Sequence, residues 1–261
     1  MTLSLFALDD ILRFWFLLIR LSAMVLTLPL FSFRTVPSHL KIVLIVALSV
    51  SLYPAVRTQQ MPVLQGPMHL GILLLGELFI GMLVGFLVQV LFASIQLGGM
   101  LMNQQMGLSM ANILDPQNGQ QTSIIENFQY VLAVLLFFSV SAHHWFIYTM
   151  AESLHAIPLL GFRVPDDMTR PLVVLLGQAF MHAVKLAAPV IVALLLVNIA
   201  MGIVARLVPQ MNVFILSFPI NMGVGLIVFA LALPFLMAEF RQLYVQMGRE
   251  LLLFIRMLGG G

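Results

Sequence analysis

The chain has 261 residues, of which 61% are apolar and only 8% are charged. A soluble domain carries about a quarter charged residues, so this composition excludes a water-exposed globular surface and predicts an apolar environment. The net charge is +2 and the basic residues are scattered, which excludes a nucleic-acid surface, and the absence of cysteine excludes disulfides and thiolate metal sites.

The chain contains six apolar segments of roughly membrane-spanning length, which predict an all-α fold of apolar helical hairpins with about six hydrophobic segments. In chain order they are 14–33, 42–56, 70–97, 128–150, 172–205 and 214–238. The fifth segment contains Pro189, and we expect it to be kinked or broken there. Because the connectors are short, residues 1–261 are expected to form a single membrane-associated domain, with residues 240–261 as an amphipathic tail.

The third segment begins a long stretch without charge. No charged side chain lies between Glu77 and Asp115, and the later part of this stretch is rich in methionine and side-chain amides. Methionine in an apolar helix usually fills a core, but amides are costly in lipid unless they are paired or wetted. Together they favour a protein-lined or watery passage closed by a deformable seal. The residues assigned to this gate are Met100, Met102, Gln105, Met106, Met110, Asn112, Asp115, Pro116, Gln117 and Asn118.

The stretch from Asp115 to Gln121 is a turn by its chemistry, since Pro116 fixes φ and Asn118-Gly119 readily takes positive φ. An ordinary surface loop would have the same composition. Because the turn directly follows the methionine and amide segment, it is also suited to lie in the mouth of a passage.

Small residues and helix interruptions recur along the chain. Gly81 and Gly85 form a GxxxG step, which lets helix backbones approach closely, either within the chain or against a partner helix. Later residues combine helix breaks with polar groups that need partners in apolar surroundings. The residues assigned to helix breaks and packing are Gly81, Gly85, Pro189, Asn198, Arg206, Pro209, Gln210, Asn212 and Pro219.

Two ionisable residues, Glu77 and Lys185, lie in otherwise apolar helices. Such groups are commonly a mutual pair or a proton relay, and a structural ion pair is an equal alternative. The paired histidines His143 and His144 fit an interfacial belt better than a metal site. No nucleophile with a partner and no phosphate-binding or dinucleotide motif is present, so we expect neither an enzyme nor a cofactor.

At these motifs the chain resembles the FliR family, the R subunits of the flagellar type III export gate, and their counterparts in virulence secretion systems. The similarity covers essentially the full length. The motifs that carry it are Gly76-Glu77 with Gly81, Gly85-Phe86 and Gln89; Gln96-Leu97-Gly98-Gly99 before Gln105-Met106-Gly107; Asp115-Pro116; and Ala188-Pro189, Asn198, Gly202, Arg206, Pro209-Gln210-Met211-Asn212 and Phe218-Pro219.

The resemblance implies a role that composition does not. It implies one copy joined to several P and Q subunits in a helical cone of the flagellar basal body, largely above the plane of the bacterial inner membrane. Unfolded flagellar proteins pass through this cone, driven chiefly by the proton gradient. The resemblance also implies contacts with the B switch subunit, other export-apparatus proteins and membrane lipid, and a plug loop that maps to about Met106–Gln121.

Two other functions compete with an export gate. A small-molecule or ion transporter would use Glu77 and Lys185, since broken helices are typical of transporter sites. A structural scaffold would use the polar segment only to bind neighbouring subunits.

Overall fold

The computed structural model describes residues 2–29, 36–59, 66–108, 123–161 and 168–259. Within these residues the chain forms seven α-helices and no β-strand, which confirms the all-α prediction. The helices are α1 (Thr2–Thr27), α2 (Ser38–Val56), α3 (Pro67–Gln105), α4 (Ile124–Ser139), α5 (Ala142–Ala156), α6 (Thr169–Leu207) and α7 (Val213–Leu258).

The fourth apolar segment contains two helices where we expected one. Helix α4 ends at Ser139 and α5 begins at Ala142, with Ser141 between them in the left-handed region at φ 56°. A left-handed residue cannot continue a right-handed helix, so the backbone changes direction there. The run Phe138-Ser139-Val140-Ser141 consists of residues with modest helix propensity, which makes this a favourable place for the interruption.

Of the kink or break that the sequence allowed at Pro189, the break does not occur, because α6 continues through this residue. Helix α7 likewise continues through Pro219 and Pro234, and α2 through Pro54. Proline removes one backbone donor, but the hydrogen bonds of a long helix on either side keep the flanking turns in register.

The C-terminal tail is not a separate element. Helix α7 runs without interruption from the sixth apolar segment to Leu258. In the described part of the tail, Arg241, Arg249 and Arg256 are exposed, and Met247 and Leu251 are buried. Its apolar face is covered by this chain.

The described parts of the chain form two compact units. Unit 1 comprises Met1–Val90, Ser141–Leu172 and Tyr244–Gly261, and unit 2 comprises Leu91–Val140 and Val173–Leu243. In unit 1, α2 packs against α1 and α5. In unit 2, Phe92 lies between Tyr130 and Phe137 of α4, with ring centroids 5.8 and 5.7 Å away.

The outer surfaces of the helices remain strongly apolar. Among the described residues, α2, α3, α6 and α7 are long and apolar enough to cross a membrane, and a fifth span results if α4 and α5 are counted as one. Many large apolar side chains on α6 and α7 are exposed, including Leu196, Ile203 and Leu231. Exposing this much apolar surface to water is unfavourable, so we expect lipid or other protein chains to cover it.

Candidate functional site: the end of α3 and the buried charges

Helix α3 ends in a glycine cap. Its last helical residue is Gln105, and Gly107 follows at φ 76°. The N–H groups of Gly107 and Leu108 donate to the carbonyl oxygens of Gln104 and Asn103, each at 3.1 Å. This pattern is a Schellman motif, which favours glycine because other residues are strained at positive φ. The cap fixes the point at which the uncharged helix stops.

Two of the predicted gate methionines lie in the core. Met102 and Met106 are fully buried within unit 2. The sulfur of Met102 lies 3.9 Å from the amide nitrogen of Gln129, and a Cβ added to Gly225 would lie 2.5 Å from Cγ of Met106. These two methionines therefore join the end of α3 to α4 and α7, and in the described part of the chain neither side chain reaches the surface.

The opposite side of the same helix end is exposed and uncharged. Gln96, Met100 and Gln104 follow one another at intervals of four residues and so share a face. Gln96 is half-buried, Met100 is 45% exposed, and Gln104 and Gln105 are exposed. This exposed face, defined by Gln96, Met100 and Gln104, is called the amide–methionine face below. It offers flexible, neutral, hydrogen-bonding side chains in an otherwise apolar chain.

The remaining predicted gate residues lie outside the described residues. They are Met110, Asn112, Asp115, Pro116, Gln117 and Asn118.

Gly81 and Gly85 line a close crossing of α1 and α3 in unit 1. A Cβ added to Gly81 would lie 2.5 Å from both Cβ of Ala23 and the carbonyl oxygen of Arg20, and one added to Gly85 would overlap the side chain of Thr27. Both glycines are therefore required for packing within this chain.

Glu77 pairs with Arg20 within unit 1, so of the alternatives that the sequence left open it forms a structural ion pair. Both partner side chains are completely buried. The Nε and Nη2 groups of Arg20 donate to the two carboxylate oxygens of Glu77, the second at 3.0 Å. This two-point geometry is the strong form of an arginine–carboxylate contact.

The same two side chains hold the turn that follows α5. Arg20 Nη1 donates to the carbonyl oxygens of Ser153 (3.1 Å) and Ile157 (2.8 Å), and Nη2 donates to that of Pro158 (3.4 Å). Glu77 accepts the backbone N–H of Leu160 at 2.6 Å. All five guanidinium donors are thus used, so the buried charge is compensated without water.

A neutral side chain fastens the same turn. The Nε2 of Gln59 donates to the carbonyl oxygen of Leu154 at 2.7 Å, and its Oε1 accepts the N–H of Leu159 at 3.0 Å. Leu160 takes φ 62°, a conformation that needs support from its surroundings in a non-glycine residue. We call Arg20, Glu77 and Gln59, with the turn they hold, the polar latch of unit 1.

Lys185 pairs with Glu239 in unit 2, with Nζ 2.9 Å from Oε1. The lysine side chain is 51% exposed, whereas that of Glu239 is 10% exposed. This pair joins α6 to α7 and, unlike the pair in the latch, it is open on one side.

The predicted break residues divide into two groups. Pro209 and Gln210 lie in the turn after α6, which ends at Leu207, and Asn212 accepts the N–H of Ile215 at 3.4 Å at the start of α7. Asn198 accepts a hydrogen bond from Asn221 at 3.0 Å. Asn198 belongs to the second group, which lies inside helices: Pro189, Asn198 and Arg206 in α6 and Pro219 in α7.

Sequence reasoning missed Arg20, Gln59 and Glu239. Arg20 carried a usable signal, since a lone arginine in an apolar helix needs a compensating carboxylate as much as Glu77 needs a cation. Gln59 carried none, because its role depends on contacts 95 and 100 residues away. In the described residues no group of three or more His, Asp or Glu side chains could hold a metal ion.

Comparison with known proteins connects these features to a family. The family "Bacterial export proteins, family 1" matches residues 11–247. The chain is 31% identical to the flagellar biosynthetic protein FliR of Pectobacterium carotovorum subsp. carotovorum, over 85% of this chain and 84% of the relative. It is 31% identical to FliR of Bacillus subtilis over 88% and 90%. The corresponding figures for FliR of Escherichia coli K12 are 30% identity over 85% and 84%. The chain therefore belongs to the FliR family of bacterial export proteins.

Proposed function

We propose that this chain is a component of the flagellar protein export apparatus. In this role it contributes part of the wall and part of the closure of an inner-membrane passage for unfolded flagellar proteins. Family membership supports the export role, and the apolar exposed surface supports a place at a membrane among other subunits. We propose that the neighbouring chains are P, Q and B subunits of the gate in the flagellar basal body.

The proposal of a passage rests mainly on the amide–methionine face. Lipid tails offer no hydrogen-bond partners, so exposed glutamine side chains on an apolar helix are costly in a lipid-facing position. The same side chains are well suited to a wet or protein-lined path. This face leads directly to the glycine cap at the end of α3 and then to residues 109–122, which include most of the predicted plug.

A gate for polypeptides has two requirements that this chemistry meets. The closed state must exclude ions, and the open state must pass any side chain. A flexible, polarizable methionine such as Met100 can seal an irregular opening without strong directional contacts. Neutral amides hold neither cations nor anions strongly, so a passing chain is not trapped by charge.

The proposal is tested by crosslinking in assembled export complexes. A single cysteine replaces Gln104, and the complex is stalled with a fusion protein that cannot complete export. We expect a short crosslinker that reacts with the cysteine at one end and with substrate side chains at the other to join this position to the stalled substrate. The matched control is a cysteine at Gln242, which is also an exposed glutamine but lies on α7.

Three results are distinguishable. A crosslink from position 104 and none from position 242 supports a passage lined by this face. Crosslinks from position 104 only to other subunits support a scaffold and refute the passage. Equal crosslinking from both positions would also refute it, because the contact would then be non-specific.

Closure has its own test. Deletion of residues 115–121 is expected to make resting cells leak ions while the complex still assembles. Unchanged ion conductance in an assembled deletion variant would show that this segment does not seal the passage.

The transporter alternative receives little support from the buried charges. A proton or substrate carrier needs a route to water, and the side chains of Glu77 and Arg20 have no exposed surface in this chain. We expect the purified chain alone to carry no flux in liposomes. Flux that is lost in Glu77→Gln would favour the transporter.

A further inference from the structure

Helix α6 presents an unusual patch of polar and small residues on its exposed side. Asn198 and Gly202 lie four residues apart and share one exposed face of the helix. Asn221 of α7 reaches this face and donates from Nδ2 to Oδ1 of Asn198 at 3.0 Å. We call these three residues the Asn–Gly patch, and all of them belong to unit 2.

The amide pair leaves hydrogen-bonding capacity unused. Within the described part of the chain, Asn221 Oδ1 is buried and has no hydrogen-bond partner. The Nδ2 of Asn198 likewise donates to no described residue, although its side chain is exposed. The accessible group of the patch is therefore the Nδ2 of Asn198, which no described residue satisfies, whereas the Oδ1 of Asn221 lies beneath the surface. Neither group can be satisfied by a lipid tail.

Gly202 is equally unexplained by contacts inside the chain. A Cβ added at this position would meet nothing within 4 Å. Glycine in a helix interior is less favourable than alanine by about 1 kcal/mol, so an exposed glycine here weakens α6 without improving its own packing. Gly81, Gly85 and Gly225 differ, because each allows a close approach to another part of this chain.

The surroundings of the patch are apolar. Leu195, Ile199 and Ile203 of the same helix are each more than half exposed. This surface combines exposed aliphatic side chains, a glycine and amides with unused hydrogen-bonding groups. Helices in membranes associate through surfaces of this kind. There, small residues allow backbones to approach, and polar side chains bond across the contact.

We propose that the Asn–Gly patch docks an apolar helix of another subunit, which crosses α6 at Gly202. That helix supplies a hydroxyl or amide oxygen that accepts a hydrogen bond from the exposed Nδ2 of Asn198. The proposal rests on the proposed place of the chain in a multi-subunit export apparatus. It goes further by naming the surface and the chemistry of the partner.

The test compares two glycines of the same helix. Gly202→Leu fills the proposed crossing point, whereas Gly177→Leu is the matched control, since its Cβ also meets nothing within 4 Å. Each variant is expressed with its neighbouring subunits and purified through a tag on this chain. The mass of the intact complex is then measured. We expect Gly202→Leu to lower the yield of co-purified subunits by about tenfold or more, and Gly177→Leu to change it less than about twofold.

A second pair of variants tests the hydrogen bonds. Asn198→Leu is expected to reduce co-purification severalfold, and Asn198→Ser, which keeps a polar group, is expected to retain more of it. The variants are also purified alone in detergent, and their helix content and melting temperature are compared with those of the unmodified chain. The Cβ of residue 202 would meet nothing within 4 Å and leucine favours a helix more than glycine, so Gly202→Leu is expected to fold normally.

Cysteine labelling distinguishes the other occupants. With a cysteine at position 202, a water-soluble maleimide should react with the isolated chain in detergent and not with the assembled complex. Reaction in the assembled complex would place the patch in a watery passage and overturn the proposal. Full co-purification by Gly202→Leu would indicate a lipid-facing surface, and loss of only a second copy of this chain would indicate self-association. Either result would also overturn it.

The outcomes separate this proposal from the proposed function. If other export subunits co-purify equally well with the unmodified chain and with Gly202→Leu, only the proposed docking surface is refuted. If no other export subunit co-purifies with the unmodified chain, both the proposed place in the apparatus and this inference are refuted.

Discussion

The guanidinium of Arg20 and the carboxylate of Glu77 form a completely buried two-point contact between α1 and α3. The pair also binds the backbone of the turn after α5, through carbonyl oxygens on the arginine side and an N–H on the glutamate side. Buried ion pairs contribute little net stability compared with apolar residues, but removing one partner leaves an uncompensated charge. The pair is therefore best understood as a fixed joint between α1, α3 and this turn.

Glu77→Gln should destabilise the chain by about 3–5 kcal/mol, because it leaves the buried Arg20 charge without a counter-ion. The control is Glu152→Gln, since Glu152 pairs with Arg256 at 3.4 Å and the arginine side chain is 62% exposed. An exposed pair of this kind contributes about 1 kcal/mol or less. Thermal unfolding in detergent measures both variants, and equal losses of stability would refute the fixed joint.

Gln59→Leu should loosen the turn after α5 locally. The substitution removes both hydrogen bonds of the side-chain amide and leaves the carbonyl oxygen of Leu154 and the N–H of Leu159 without these partners, at a cost of about 1–3 kcal/mol each. Hydrogen exchange should accelerate in peptides that cover residues 154–161. Gln242→Leu, at an exposed position, serves as the control, and unchanged exchange in the Gln59 variant would contradict the role of Gln59 in the polar latch.

Gly81→Ala and Gly71→Ala should have opposite effects, although both lie in α3. A Cβ at Gly81 would be 2.5 Å from the backbone oxygen of Arg20, so we expect a loss of about 1–3 kcal/mol. A Cβ at Gly71 would meet nothing within 4 Å, so higher helix propensity should stabilise the chain by up to about 1 kcal/mol. Melting temperatures of the purified variants test this, and a gain of stability in Gly81→Ala would exclude the close crossing.

Met106→Ala should destabilise the chain by about 2–5 kcal/mol, because this side chain is completely buried. Met100→Ala, at a 45% exposed position in the helix that Met106 follows, should change the stability of the chain alone by less than about 0.5 kcal/mol. Denaturation of the purified variants measures both values. A larger effect at Met100 would show that the buried and exposed sides of α3 are assigned the wrong way round.

The two methionines also differ as probes of closure. Alanine at Met106 would change packing, so a leak in that variant could arise from misfolding. Alanine at Met100 leaves the core intact, so an increased resting ion conductance in assembled Met100→Ala complexes would report on the seal itself. Unchanged conductance in that variant would count against a seal at this position.

The sequence alone determined the class of this protein. Low charge and long apolar segments require helices, because in a membrane every backbone polar group must be bonded within its own segment or a closed sheet. The approximate position of most of the helices, the end of α6 before Pro209 and the spacing of arginines among apolar residues after Arg241 are local properties, set by composition, spacing and turn chemistry. Such signals are contained in neighbouring residues, so they can be read without tertiary structure.

Only the tertiary structure decided which side chains meet. The partner of Glu77 is 57 residues away, and the sequence offered Lys185 as an equally reasonable cation. Met102 and Met106 share a stripe with Met110 in sequence, yet whether that stripe faces a core or an opening depends on where α4 and α7 lie. The break at Ser141 and the continuity of α6 through Pro189 were equally undetermined, because a helix ends where the sum of local propensity and distant packing ceases to favour it.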